Sequence, residues 1–341
     1  MKLIDQAVES IYALAGANSE DQFVFTSSDA ESITQVFHSI YYDHMVKNGR
    51  TQFLLCNLEG SATLLNGARF EDLGCLVEQV SVNSLGLLTR DILNLHTTPK
   101  TGALFLSLSN PLTGVMQSLA EIALYCKEHE ILLHLNISDC IGKTYFMMRD
   151  FPISYLSFSV KKGAGALFIK KGVEFKGMIP SSESLNPLRG GAIDEDLFDA
   201  FGKECQRQID EMDQSTLHLA HLRDHFETTL QKEVPSVKPL YMNQMRVPHQ
   251  SVALFPKVAA DLLLFHLRSE NILASLGGGS VQKLEHLLGK CGLDSESSNS
   301  ALAFSFDVSQ TLEQVEKMAI DIGKIYLKLE VMAQDLEEDE F

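Results

Sequence analysis

The sequence predicts an α/β fold: a large domain with a mostly parallel central sheet, followed by a small C-terminal α+β domain. Three observations carry this. Through the first half of the chain, short apolar runs alternate with amphipathic stretches of helical period, the pattern of βαβ units. Residues 194–234 form one long, charged, amphipathic pattern of one or two helices. Beyond it, short strands and helices return over roughly a hundred residues, an ordinary domain size. The expected organisation is a large domain over 1–193, a helical linker over 194–235 and a small domain over 236–341.

The elements follow in order. MKLIDQAVESIYALAG carries apolar residues at helical spacing, but Asp5 and Glu9 interrupt them, so it is not a signal peptide. QFVFT (22–26) reads as a strand, and 29–49 as a helix with Asp29 near its start and Gly49 behind it. QFLLCN (52–57) and GCLVEQVSV (74–82) are further apolar runs. ALFLSLS (103–109) precedes a helix over 117–130 and the strand ILLHLN (131–136). YLSFS (155–159) and ALFIKK (166–171) close the series. After the loop-rich PSVKPLYMNQMRVPHQ come SVALFP (251–256), a helix over 259–270, NILASLGGGS, a helix over 281–289, ALAFSFDV (301–308) and a terminal helix from Gln310. In parallel sheets the site lies outside the carboxyl ends of the strands. The loops after Thr26, Asn57, Ser109, Asn136 and Ser159 should therefore converge on one crevice.

Composition narrows the function. The chain has 341 residues, 45% hydrophobic and 21% charged, as in globular proteins with a sizeable core. A net charge of −17 argues against nucleic-acid phosphates and anionic membrane surfaces as partners. The six cysteines contain no CxxC pair, so neither zinc nor a redox dithiol is signalled. Several lie in apolar runs, consistent with a reducing cytoplasm. No run approaches the length of a membrane span.

Locally, the chemistry-bearing residues keep more than one reading. In SFSVKKGAGALFIKKG (157–172), Lys161 and Lys162 are either solvated charge or, in the crevice, a candidate catalytic amine. LGGGS (276–280) is a flexible connector or an anion-binding nest. Cys291 and Cys140 are half-buried thiols or relocated nucleophiles, with the first reading favoured. His134 reads as a core histidine. His218, His221 and His225 share a helix face, polar before metal-binding.

Taken in order, these stretches resemble the class V aminotransferases of PLP fold type I, and among them the NifS/IscS-type cysteine desulfurases. FTSSDAES resembles the loop that cups the cofactor phosphate, and SNPLTGVMQSLAEIALYCKEHEILLHLNISDCIGK the long middle signature. SFSVKKGAGALFIKKG resembles the Schiff-base segment, PLRGGAIDE the loop given to a partner subunit, and ASLGGGSVQKLE the loop that carries the desulfurase cysteine. The resemblance spans about Asp5 to Leu329. It implies fold type I, pyridoxal 5′-phosphate (PLP) as cofactor and a homodimer. It also implies that the family's N-terminal segment, near the cofactor and dimer contact, is missing here.

Carried over residue by residue, the resemblance places the Schiff-base lysine at Lys162, with Lys161 where a histidine is usual and Ser159 kept. The residue under the pyridine nitrogen is Asn136, where an aspartate would hold the nitrogen protonated. The groups near the phenolic oxygen are Asn110 and Asp139. In the phosphate cup, Ala30 replaces a threonine and Asp29 stands beside it, a change that weakens dianion binding even at a helix N-terminus. Gly60 takes the place of the stacking histidine, Ala192 of the partner's threonine, Gly279 of the catalytic cysteine, and Ala303 of the substrate-binding arginine. The resemblance thus implies a cysteine-desulfurase-like protein without normal desulfurase activity. Two alternatives stand beside it. One is a PLP-dependent lyase or transferase of altered chemistry acting on an amino acid. The other is a non-catalytic partner or regulator of an iron–sulfur or sulfur-transfer system.

Overall fold

The structure, a computed structural model, describes residues 2–180, 188–278 and 282–339. The chain divides into two compact units: Met1–Val82, Leu87–Leu108 and Gln117–Met212 form the first, and Asn83–Gly86, Ser109–Met116 and Asp213–Phe341 the second. The division falls inside one long helix that fills the stretch expected as a linker.

The first unit contains α1 (Lys2–Ala15), β1 (Gln22–Thr26), α2 (Asp29–Ser39), a π-helical turn (Ile40–Met45), α3 (Val46–Asn48), β2 (Gln52–Cys56), α4 (Ser61–Glu71), β3 (Leu76–Val80), α5 (Arg90–His96), β4 (Thr101–Ser107), α6 (Leu119–Glu128), β5 (Leu132–Asn136), β6 (Tyr155–Lys161), β7 (Ala164–Ile169) and the first part of α7 (Glu195–Glu233). The helix expected over 29–49 is interrupted by the π-helical turn. It closes at Gly49, whose φ of +75° suits a left-handed cap and whose N–H donates to the Met45 carbonyl.

The seven strands lie in the order β1-β7-β6-β5-β4-β2-β3. Only β7 runs antiparallel to its neighbours. Helices cover both faces, which is why the inner strands read as near-continuous apolar runs. On one face, Val24, Phe53, Phe105 and Tyr155 pack with Ile33, Val36 and Phe37 of α2. On the other, Phe25 meets Phe198 and Phe201 of α7, and Phe168 meets Tyr12 of α1.

The second unit holds the rest of α7, β8 (Lys238–Pro239), β9 (Gln250–Leu254), α8 (Ala260–Ser269), β10 (Gly277–Gly278), β11 (Gln282–Lys283), α9 (Leu284–Lys290), α10 (Ser295–Asn299), β12 (Ala301–Ser305) and α11 (Leu312–Asp339). Its antiparallel sheet has the order β12-β9-β8, with Pro239 on an edge strand where no ladder donor is needed. Phe226 and Leu230 of α7, Leu263 of α8, Phe304 of β12 and Tyr326 of α11 form its core. Inside that unit, Arg246 grips the buried Glu227 through two hydrogen bonds of 2.7 and 3.0 Å, and Ser251 donates to the same carboxylate. Among the described residues, no helix is long and apolar enough to cross a membrane.

Candidate functional site

The loop after β1 turns into α2 through a latch that its sequence supplies. Thr26 Oγ1 donates to the Ser28 carbonyl, and Gly165 of β7 packs so closely that a Cβ there would lie 2.6 Å from the Ser28 backbone. Ser28 is the N-cap of α2 and accepts the Glu31 N–H. Asp29 Oδ1 accepts the Ala30 N–H at 2.8 Å, and Glu31 Oε2 accepts the Ser27 N–H at 2.7 Å. The N–H groups of Ser27, Ala30 and Glu31 are thus taken by the chain's own oxygens. Glu31 is further held by Gln35 and, through both carboxylate oxygens, by Arg189 at 2.7 and 3.2 Å. Burial pushes the Glu31 carboxyl up, but the bonds from Arg189 and Ser27 and the guanidinium charge outweigh it and hold it at about 2.

Carboxylates also gather at the neighbouring strand ends. Glu59, after β2, is buried; it accepts Ser107 N–H, Ser107 Oγ–H and Thr63 Oγ1–H. Burial raises its proton affinity to about 7 despite these bonds, and the charge of Asp139 adds to the rise. Asp139, after β5, is raised to about 6, first by burial and then by the charge of Asp29, with Lys143 acting against it. Lys143 is itself lowered by burial. The Asp29 charge thus acts on Asp139, and the Asp139 charge on Glu59, across the ends of β1, β5 and β2.

Lys161 and Lys162 lie where β6 turns into β7. Lys161 pairs with Ala164, leaving Lys162 and Gly163 as a two-residue hairpin loop. Gly163 has φ +85°, which that turn position requires. Both lysines are exposed. The Lys161 charge acts on Glu204 of α7, whose carboxyl lies below its usual range chiefly through a hydrogen bond from Arg207. Ser159 Oγ donates within the hairpin to the Ala164 carbonyl at 2.7 Å, and its N–H donates to Ser138 Oγ. Asn136 ends β5, and its side-chain oxygen accepts the Ser138 N–H. Ala30 is exposed at the start of α2. Asn110 belongs to the second unit, where its side-chain oxygen accepts the Leu112 and Thr113 N–H groups.

The remaining expected positions have simple structural environments. Gly60 is the N-cap of α4 and makes no side-chain cap bond. Ala303 is buried in β12, opposite Val252 and bridged to Ser275. Ala192 is exposed ahead of α7. Gly279 and Ser280 lie outside the described residues. None of the six cysteines is in a disulfide, and all six are buried. Burial raises the thiols of Cys75, Cys126, Cys205 and Cys291, that of Cys126 to about 12. His134 is buried, bonded to Ser157 Oγ and pushed down by burial to about 3, so it is a neutral core group. On α7, His218 bonds the Gln310 carbonyl and His225 faces Glu316.

Glu31 with Arg189, Glu59 and Lys143 were not among the residues expected from sequence. The S-x-x-E of Ser28 and Glu31 is a capping signal, and Asp139 and Lys143 stand four apart. Burial of Glu59 has no local signature.

The strand order, with one antiparallel strand beside an edge of an otherwise parallel sheet, is that of a PLP fold type I architecture. Similar solved structures bear this out: a NifS-like protein has a TM-score of 0.86 at 21% identity, covering 96% of this chain and 88% of its own. Another NifS-like protein, from Rickettsia africae, has a TM-score of 0.82 at 20% identity, covering 95% and 88%. The chain belongs to the class-V aminotransferase family, whose family model matches residues 1–178. Its curated relatives include a cysteine desulfurase of Nostoc sp., 24% identical over 97% of this chain and 84% of the relative. Cysteine desulfurase IscS of Dictyoglomus turgidum is 25% identical over 97% and 85%.

Family membership implies PLP, and the residues present fit it poorly. A phosphate dianion needs free donors and positive potential at the start of α2. That end has three donors already engaged and the carboxylates of Asp29 and Asp139 beside it. A protonated ring nitrogen is best held by a carboxylate, and Asn136 offers only a neutral amide oxygen, one of whose two lone pairs accepts from Ser138.

Proposed function

We propose that this protein is a cysteine-desulfurase-like member of its family that does not mobilise sulfur and acts by binding. The observation that carries this is the state of its thiols. Sulfur transfer from cysteine needs an accessible thiolate, and all six cysteines are buried, with four held toward the neutral thiol. A buried methyl at Ala303 and the bare N-cap at Gly60 support the same reading, since an arginine would clamp the substrate carboxylate. The protein is proposed to be a homodimer in a reducing cytoplasm, serving a sulfur-transfer or iron–sulfur assembly system as a non-catalytic partner or regulator.

The test is to incubate the protein with PLP and L-cysteine, then alkylate and map each cysteine by mass spectrometry. None of the six is expected to carry a persulfide. A persulfide that forms on one cysteine and is lost on its substitution would overturn the reading. The alternative, an amino-acid lyase or transferase using Lys162 as Schiff-base lysine and Asp29, Ala30, Asn110, Asn136, Asp139, Ser159 and Lys161 around the cofactor, draws support from the place of Lys162 at the end of β6. The carboxylates at the start of α2 oppose it.

A further inference from the structure

We infer that the place the family gives to the cofactor phosphate is filled in this chain by the chain's own carboxylates, and that the protein is stably folded without PLP. This goes beyond the loss of sulfur transfer, because a protein can hold PLP without mobilising sulfur. Glu31 is the resident anion. It accepts from Ser27 N–H, from Gln35 Nε2 and from Arg189 at Nε and Nη2, the kinds of donor that hold a phosphate at a helix N-terminus. Asp29 takes the Ala30 N–H, and Ser28 takes the Glu31 N–H.

The same contacts give the anion a structural task. Arg189 ties its own segment to α2. The preceding segment is tied there as well: the Met178 N–H donates to Gln35 Oε1 and the Lys176 N–H to Ser39 Oγ. A dianion entering this place would have to displace Glu31 from Arg189 and release that segment, and it would meet the Asp29 carboxylate at the Ala30 N–H. Lys162, which the family would join to the cofactor aldehyde, stands exposed at a hairpin tip.

The test is to titrate the purified chain with PLP and follow three readouts: the visible absorbance of a lysine–PLP imine, pyridoxyl adducts on each lysine after borohydride reduction, and the melting temperature. The expected result is no saturable band, an adduct on Lys162 no more abundant than on other exposed lysines, and no rise in melting temperature with PLP or inorganic phosphate. Glu31→Gln should lower the melting temperature in the absence of any PLP, as the loss of a resident anion requires. A one-to-one band that disappears in Lys162→Ala, or a melting temperature raised by PLP and not in that variant, would overturn the inference. An unchanged melting temperature in Glu31→Gln would also overturn it. Stoichiometric PLP without persulfide on any cysteine would end this inference and leave the proposed function standing; persulfide formation would end the proposed function itself.

Discussion

Glu59 is the residue whose chemistry differs most from what its sequence context conveys. Its carboxyl is raised in the folded protein to about 7 by burial, against an ordinary value of 4.5. Between these two values the folded state binds more protons than the unfolded one, so stability falls as pH rises through that window. The loss is on the order of 3 kcal/mol if Glu59 acts alone. Asp139, raised to about 6, contributes with the same sign at lower pH. Urea unfolding at pH 5 and pH 8 should show the wild type weaker at pH 8, and Glu59→Gln should remove most of that difference. An unchanged pH dependence in the variant would mean that Glu59 is already ionised in the fold. Glu31 has the opposite sign. Held at about 2, it contributes stability that is full above its unfolded value and is lost as pH falls toward 2. Of these carboxylates, Asp29 and Asp139 were legible from sequence because family order located them. Glu59 was not, because the shift arises from burial, which the local sequence does not signal; of its bonding partners Thr63 is four residues away and Ser107 is distant in sequence.

The turn and helix elements carry sharper stability predictions. Gly163 has φ +85° in the loop that presents Lys162, so Gly163→Ala should destabilise by about 1 kcal/mol through strain at a left-handed position. Thermal unfolding measures it, and a neutral effect would contradict the turn geometry. In the second unit, Glu227 and Arg246 form a buried bidentate pair, 1% and 3% exposed at the side chain. Removing one partner leaves a buried charge alone, so Arg246→Met should cost about 3–5 kcal/mol. The double variant with Glu227→Leu should recover much of that loss. The strands were readable from short apolar runs, and α7 from its long amphipathic period. The break of the 29–49 helix at the π-helical turn was not, since that turn depends on tertiary partners. Lys176 N–H and Asp43 share Ser39 Oγ there, and the His44 side chain meets the Glu174 carbonyl.

At the scale of the whole molecule, the fold is that of the family, and the loss of its chemistry is what we propose. The order of elements and the apolar periodicity specify a fold type I sheet with an α+β companion, and both were legible because burial patterns repeat along the chain. The candidate site was only half legible. The departures that the resemblance implies at Gly60, Asn136 and Ala303 can be read residue by residue, whereas engagement of the α2 N-terminus by Ser28, Asp29 and Glu31 needs coordinates. Burial of every cysteine likewise belongs to packing rather than to pattern. The protein keeps the fold of the NifS-like structures and buries all six of its thiols. The most direct measurement is release of sulfide and alanine from L-cysteine by the purified protein supplied with PLP. Rates no higher than those of free PLP are expected. Saturable turnover that vanishes on substitution of one of the six cysteines would contradict the proposed function.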